Sequence, residues 1–156
     1  SLLLIRYWIL NKNLINSFGS IDKSKYFLFF GIGSAIFLIF HSLMLGMKFD
    51  FLFLKFFRRF VLIAFIIFEL IAQALLIVNL IKLKNKIKIL INKNILIYKS
   101  VLIGILIIVA LLSIPILASD EYKNFKHALE WNYFIGVVLF YFLSRLLWKK
   151  TNSRLA

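Results

Sequence analysis

The sequence FVLIAFIIFELIAQALLIVNLI, from Phe60 to Ile81, decides how this chain folds. It carries one ionisable side chain, Glu69, and contains neither Gly nor Pro. As a helix it spans roughly 30 Å, about the thickness of the hydrocarbon core of a bilayer. Lipid offers no partner to a free backbone amide, and a helix satisfies its own amides. The stretch therefore predicts a transmembrane helix over 60–81, flanked by basic residues that we expect to contact lipid head groups: Arg58, Arg59, Lys82, Lys84, Lys86 and Lys88.

The composition also favours a membrane protein. Hydrophobic residues make up 63% of the chain, whereas water-soluble domains average about 45–50%. The net charge of +14 comes from basic residues that flank apolar runs, a pattern typical of inner loops held near anionic lipids. We expect no nucleic-acid partner, because the bases do not cluster on a folded polar surface. The absence of cysteine excludes disulfides, thiolate metal sites and a cysteine nucleophile.

Three further runs resemble the first and predict spanning helices over 26–47, 100–118 and 130–148. The interrupted segment 1–20 predicts an interfacial amphipathic helix with Tyr7 and Trp8 at head-group depth, or else the end of a spanning helix. We expect the basic connections 48–59 and 82–99 to lie in the interface, the former alternatively extending the second span. Segment 119–129 is expected to form a loop. The predicted fold is an all-α integral membrane protein, a four-transmembrane-helix bundle (21–150) with an N-terminal interfacial amphipathic helix and a short polar tail (151–156).

The distribution of bases predicts the orientation. More Lys and Arg fall on the segments that share a side with the amino terminus than on the opposite loops. Both termini are therefore expected on the cytoplasmic or matrix side. The sequence does not distinguish a bacterial inner membrane, a mitochondrial inner membrane or an endomembrane.

Three polar residues fall within the predicted spans: Glu69, Gln73 and His41. A charged carboxylate at mid-bilayer is costly, so Glu69 is expected to be protonated or paired. Gln73 follows one turn later on the same face. Either these residues form a proton or cation relay, or they hydrogen-bond neighbouring helices and fix their packing, which we favour. His41 is expected to bond another helix, Glu69 being one candidate partner.

No catalytic set occurs in the sequence, so we expect no enzymatic activity, no metal and no cofactor. His41 and His127 leave open a haem-binding membrane anchor. His127 and Glu130 have a spacing that is found in metal sites, but the sequence contains no second copy.

The run HALEWNYFIGVVLFYFLS, from His127 to Ser144, resembles the last helix of the DRAM-like (damage-regulated autophagy modulator-like) family, in which a small residue and an acidic–aromatic pair open the final span. The matching residues are Ala128, Glu130 and Trp131, and His127 begins the run. The order of spans is also similar upstream, so the resemblance covers residues 25–148 as the family's last four spans. It implies an endomembrane or plasma-membrane protein without enzymatic activity, tied to lipid handling or autophagy.

The sequence thus favours a non-catalytic structural or accessory subunit of a larger membrane protein complex, in contact with other membrane subunits and anionic lipids. The alternative is a small transporter or lipid-handling protein that uses Glu69, Gln73 and His41. The haem-binding anchor is a third possibility.

Overall fold

The computed structural model of the chain describes residues 2–17, 24–45, 52–83, 91–118 and 123–148. Within these ranges the regular structure is helical, apart from one isolated antiparallel bridge between Ile91 and Trp148. The described helices are α1 Leu2–Ser17, α2 Ser24–Leu45, α3 Leu52–Leu83, α4 Lys93–Ala118 and α5 Lys123–Leu147.

Three segments of these helices are long and apolar enough to cross a membrane: Lys25–Met44, Phe56–Leu83 and Lys93–Ser113. The predicted all-helical class with helices of membrane-spanning length is therefore confirmed. The apolar part of α5, Trp131–Leu147, is shorter. The four-span bundle and the interfacial position of α1 stay predictions.

Three helices begin seven or more residues earlier than the sequence predicts. The starts of α3, α4 and α5 are Leu52, Lys93 and Lys123, where we expected 60, 100 and 130. The added turns contain Lys, Arg and His but neither Gly nor Pro, and long basic side chains can leave a helix without breaking it. Asn92 caps α4, since its Oδ1 accepts a hydrogen bond from the Asn94 amide at 3.2 Å. Charges therefore mark the ends of the apolar runs rather than the ends of the helices.

The chain divides into two compact units, Ser1–Leu80 and Ile81–Ala156. In the first, α1 packs on α2 through Trp8, which is fully buried. The Trp8 ring lies 6.1 Å from the Phe27 ring and directly over Gly31, where a Cβ would lie 2.5 Å from Trp8 Cγ. Trp8 therefore serves helix packing, whatever the depth of α1 in a membrane.

Helices α2 and α3 pack in the same unit through the ring of Phe68. Phe30 and Phe37 of α2 place their rings 5.3 and 5.1 Å from that of Phe68. Gly33 leaves room for the same ring, because a Cβ there would lie 2.6 Å from it. The two helices can approach closely because α2 presents small residues at this contact.

In the second unit, α4 and α5 form an antiparallel hairpin. The Asn92 amide donates to the carbonyl of Leu147 at 2.9 Å, at the start of one helix and the end of the other. Further along, Leu106 of α4 packs against Gly136 of α5. Residues later in α4 therefore contact residues earlier in α5, as expected for two antiparallel helices.

Candidate functional site: a buried carboxyl, hydroxyl and amide cluster

Helix α3 turns two polar side chains towards the protein interior. Glu69 and Gln73 are four residues apart and therefore lie on one helical face. Both are fully buried, and Gln73 Nε2 donates to Glu69 Oε1 at 2.7 Å. The structure thus brings together two of the three intramembrane residues that the sequence singles out.

Helix α2 contributes a third member, Ser34, which the sequence marks as a small residue suited to close helix packing and not as part of a polar site. Its Oγ lies 2.6 Å from Glu69 Oε2 and 2.8 Å from the backbone oxygen of Gly31. Ser34 and the adjacent Ala35 are fully buried. The small side chains on this face let the hydroxyl reach the carboxyl group of the neighbouring helix. The cluster of Ser34, Glu69 and Gln73 therefore joins two helices by polar contacts that have no access to solvent.

The third predicted residue, His41, lies on α2 about 10 Å further along the helix axis than Ser34. Its side chain is half-buried. A hydrogen bond between His41 and Glu69 stays a prediction.

The residues of the family-like run lie inside helix α5. Because α5 begins at Lys123, His127, Glu130 and Trp131 do not open the helix. Trp131 is exposed and meets Phe134 edge to face at 6.5 Å. The side chains of His127 and Glu130 lie outside the described part of the structure, so haem or metal binding there stays untested. Among the side chains that are described, no group of three or more His, Cys, Asp or Glu residues is placed to hold a metal ion.

The flanking basic residues are described in part. Arg58 and Arg59 are exposed on α3, and Lys82 is exposed in its last turn. Lys84, Lys86 and Lys88 lie outside the described residues. Exposure is compatible with head-group contact, which stays a prediction for all six.

A buried lysine in the second unit was missed by the sequence analysis. Lys99 is fully buried, and its Nζ donates to Ser144 Oγ at 2.5 Å and lies 3.8 Å from the ring centroid of Phe140. The sequence places Lys99 in the basic connection 82–99, which is predicted to lie in the interface. Its helical spacing to the buried residues Leu96, Ile103 and Leu106 was the available signal.

The arrangement at Lys99 joins α4 to α5. Ser144 accepts from Lys99 and donates its own proton to the Phe140 carbonyl at 2.9 Å. Burying an amine without hydrogen-bond partners is unfavourable, and the ring face of Phe140 adds a contact that is favourable to a cation. Lys99 thus contributes a polar contact between helices, as the Glu69 cluster does in the first unit.

Comparison with known proteins gives no match: no protein-family model, no curated protein and no solved structure matches this chain. The likeness to the DRAM-like family therefore stays a prediction.

Proposed function

We propose that this chain is a non-catalytic polytopic membrane protein that serves as a structural or accessory subunit of a larger membrane complex. In this proposal α2, α3, α4 and α5 all cross the bilayer, α1 lies at its surface, and both termini face the cytoplasmic or matrix side. The anionic lipids of that side attract the basic segments.

The proposal rests on where the buried polar side chains form their hydrogen bonds. The most deeply buried ones, Glu69, Gln73, Ser34 and Lys99, bond to one another or to a neighbouring helix. The outward faces of the helices are instead apolar, and only 22% of the α2 and α4 spans is buried within the chain. Such faces suit contact with lipid and with other transmembrane helices rather than with a polar substrate.

Purification in mild detergent tests the accessory role. We expect the tagged chain to co-purify with defined membrane proteins in fixed stoichiometry, and its detergent-corrected mass to exceed that of one chain. A matched preparation of an unrelated tagged membrane protein of similar size controls for carry-over. A monodisperse monomer without partners would contradict the proposal.

A second function is favoured by the Glu69 cluster: a small transporter or lipid-handling protein that uses Glu69, Gln73 and His41. The supporting observation is a carboxyl group and an amide buried side by side between two helices. In this case Glu69→Gln abolishes flux in proteoliposomes while the chain still folds. Undiminished flux in that variant would exclude the role of Glu69 in transport.

A further inference from the structure

We infer that Glu69, Ser34, Gln73 and the backbone oxygen of Gly31 form a buried site in which Glu69 holds a proton that a monovalent hard cation such as Na⁺ can replace. The inference goes beyond the accessory role and does not depend on it. The inference concerns ion binding alone. A chain that binds Na⁺ but does not transport it would show no flux in proteoliposomes and would still show the infrared response to Na⁺ described below.

The first step is the proton count at Ser34. Its hydroxyl lies within hydrogen-bond distance of two oxygens, Glu69 Oε2 at 2.6 Å and the Gly31 carbonyl at 2.8 Å. A hydroxyl has one proton to donate, and an ionised carboxylate and a carbonyl can only accept. Both contacts are therefore satisfied at once only if Oε2 carries a proton, which it donates to Ser34 while Ser34 donates to Gly31. The neutral form of Glu69 completes the chain of hydrogen bonds.

The second step is the orientation of Gln73. Its Nε2 donates to Glu69 Oε1, the oxygen that remains an acceptor when Oε2 is protonated. Its Oε1 is buried and has no hydrogen-bond partner among the described residues. The two ends of an amide exchange places when χ3 turns by half a revolution. This rotation would bring a free oxygen towards the carboxylate once the proton has left.

The third step is the kind of ligand that this set of atoms suits. After the proton leaves, two carboxylate oxygens, the Ser34 hydroxyl, the Gly31 carbonyl and Gln73 Oε1 are all oxygen donors. Oxygen donors suit hard cations rather than soft transition metals. The cluster contains no sulfur or imidazole ligand.

The fourth step is charge. Glu69 is the one buried acid among the side chains that the structure describes. A single carboxylate neutralises a monovalent cation, whereas a divalent ion would leave a net positive charge in a medium of low dielectric constant. A proton and a monovalent cation are therefore the two occupants that leave the buried site neutral.

Few titratable groups surround the cluster on the helices of its own unit. On α2, Lys25 and Tyr26 are exposed at the start of the helix and His41 lies about two turns beyond Ser34. On α3, Arg58 and Arg59 are exposed about three turns before Glu69, and Lys82 is exposed more than three turns after it. Helix α1, which packs on α2, carries Arg6, Tyr7 and Lys12.

Infrared difference spectroscopy of the full chain in proteoliposomes tests the inference. In choline buffer we expect the C=O stretch of a protonated carboxyl group, which is lost in Glu69→Gln. Adding Na⁺ should replace this band by carboxylate bands and release about one proton per chain. Because the two ligands compete one for one, the half-maximal Na⁺ concentration should rise about tenfold for each unit by which pH falls.

Variants of the neutral ligands separate the site from a general effect of salt. Ser34→Ala and Gln73→Leu should keep the protonated band but need at least about tenfold more Na⁺ to lose it, as expected when one ligand of a coordinated ion is removed. Asn79→Leu removes another buried amide of α3 and should leave the Na⁺ response unchanged. A wild-type spectrum with only carboxylate bands in choline would overturn the protonated state. A protonated band that Na⁺ does not alter would overturn the cation site.

Discussion

Two buried serines, Ser144 and Ser34, differ in the hydrogen bonds that their neighbours can form with them. The Ser144 hydroxyl accepts a hydrogen bond from Lys99 and donates one to the Phe140 carbonyl, so its one proton has an acceptor. The Ser34 hydroxyl faces a carbonyl oxygen and a carboxyl oxygen. Both contacts are hydrogen bonds only when the carboxyl group is protonated and donates one of them. The same side chain therefore joins helices through the amine of Lys99 in one unit and through the carboxyl group of Glu69 in the other.

The contact at Ser144 leads to a prediction about stability. Ser144→Ala leaves the buried amine of Lys99 without its hydroxyl partner, and we expect a loss of about 1–3 kcal/mol in the free energy of unfolding. Lys99→Met removes the amine itself and should cost less, because no polar group is then left unsatisfied. Unfolding in mixed detergent micelles measures both changes.

The double variant supplies the control for this pair. Once Lys99 is methionine, replacing Ser144 should cost much less than it does in the parent chain, a coupling that a double-mutant cycle detects. Ser100→Ala is the matched single change, since among the described residues the Ser100 hydroxyl bonds within its own helix, to the Leu96 carbonyl. Equal losses for Ser144→Ala with and without Lys99 would contradict the contact.

The Glu69 cluster makes a second prediction at the level of one residue. Glutamine at position 69 can accept from Gln73 with its oxygen and donate to Ser34 with its amide, as a protonated acid does. We therefore expect Glu69→Gln to change the free energy of unfolding by less than about 1 kcal/mol. Glu69→Leu leaves Ser34 and Gln73 without this partner and should cost about 1–3 kcal/mol.

The comparison of these two variants is decisive, because a charged Glu69 held by a cation would behave differently. In that case the glutamine variant would lose the ion and destabilise the fold about as much as leucine does. Thermal unfolding followed by circular dichroism distinguishes the two outcomes when it is measured both in choline and in Na⁺ detergent solution. The small cost of Glu69→Gln is expected in choline, where the wild-type acid holds a proton.

At the scale of helices, close approach depends on particular glycines. A Cβ at Gly31 would lie 2.5 Å from Trp8 Cγ. A Cβ at Gly104 would meet no heavy atom of the described residues within 4 Å, apart from its chain neighbours and the nearby backbone of its own helix. Gly31→Ala should therefore loosen α1 from α2 and cost about 1–3 kcal/mol by overpacking. Gly104→Ala should be neutral or stabilise α4 by up to about 1 kcal/mol, since alanine is the better helix former.

Fluorescence of the tryptophans measures the first change directly. Trp8 is buried under α2, so Gly31→Ala should make its emission more accessible to an aqueous or lipid quencher, while Gly104→Ala should not. Substituting Trp131 and Trp148 by Phe in both variants isolates the Trp8 signal. Unchanged quenching in Gly31→Ala would show that α1 does not depend on this contact.

The sequence predicted the helices better than it predicted where they begin. Apolar runs set which segments are helical, because backbone amides in lipid have no other partner. The starts of α3, α4 and α5 were missed because their first turns carry basic residues that we treated as boundaries. Asn92 was a local signal for the start of α4, since asparagine favours the position before a helix.

The sequence predicts those contacts of the candidate site that lie within one helix, and it does not predict the contacts between helices. The pairing of Glu69 with Gln73 follows from their spacing along α3. Ser34 and Lys99 could not be assigned to their partners in this way, because the register between two helices depends on how their side chains pack. Lys99 was further obscured by its charge, which favoured a surface interpretation although its spacing matched the buried face of α4.

At the scale of the whole molecule, the number of membrane crossings determines on which side of the membrane each terminal segment lies. Three segments meet the length and hydropathy of a span, and the apolar part of α5 is shorter. Helix α5 as a whole contains 25 residues, or roughly 37 Å, which exceeds the hydrocarbon thickness. Four crossings place α1 and the tail on one side of the membrane, whereas three place them on opposite sides.

The absence of cysteine from the chain makes this prediction directly testable. We introduce single cysteines by Ser17→Cys at the end of α1, Ser119→Cys in the predicted outer loop and Ser153→Cys in the tail, and label each in sealed, oriented vesicles with a membrane-impermeant maleimide. Positions 17 and 153 should react from the same side, the side that carries more basic residues, and position 119 from the other. Labelling after detergent permeabilisation controls for reactivity. If positions 17 and 153 react from opposite sides, α5 does not cross the bilayer, and the charge of the tail no longer agrees with the orientation that the other connections predict.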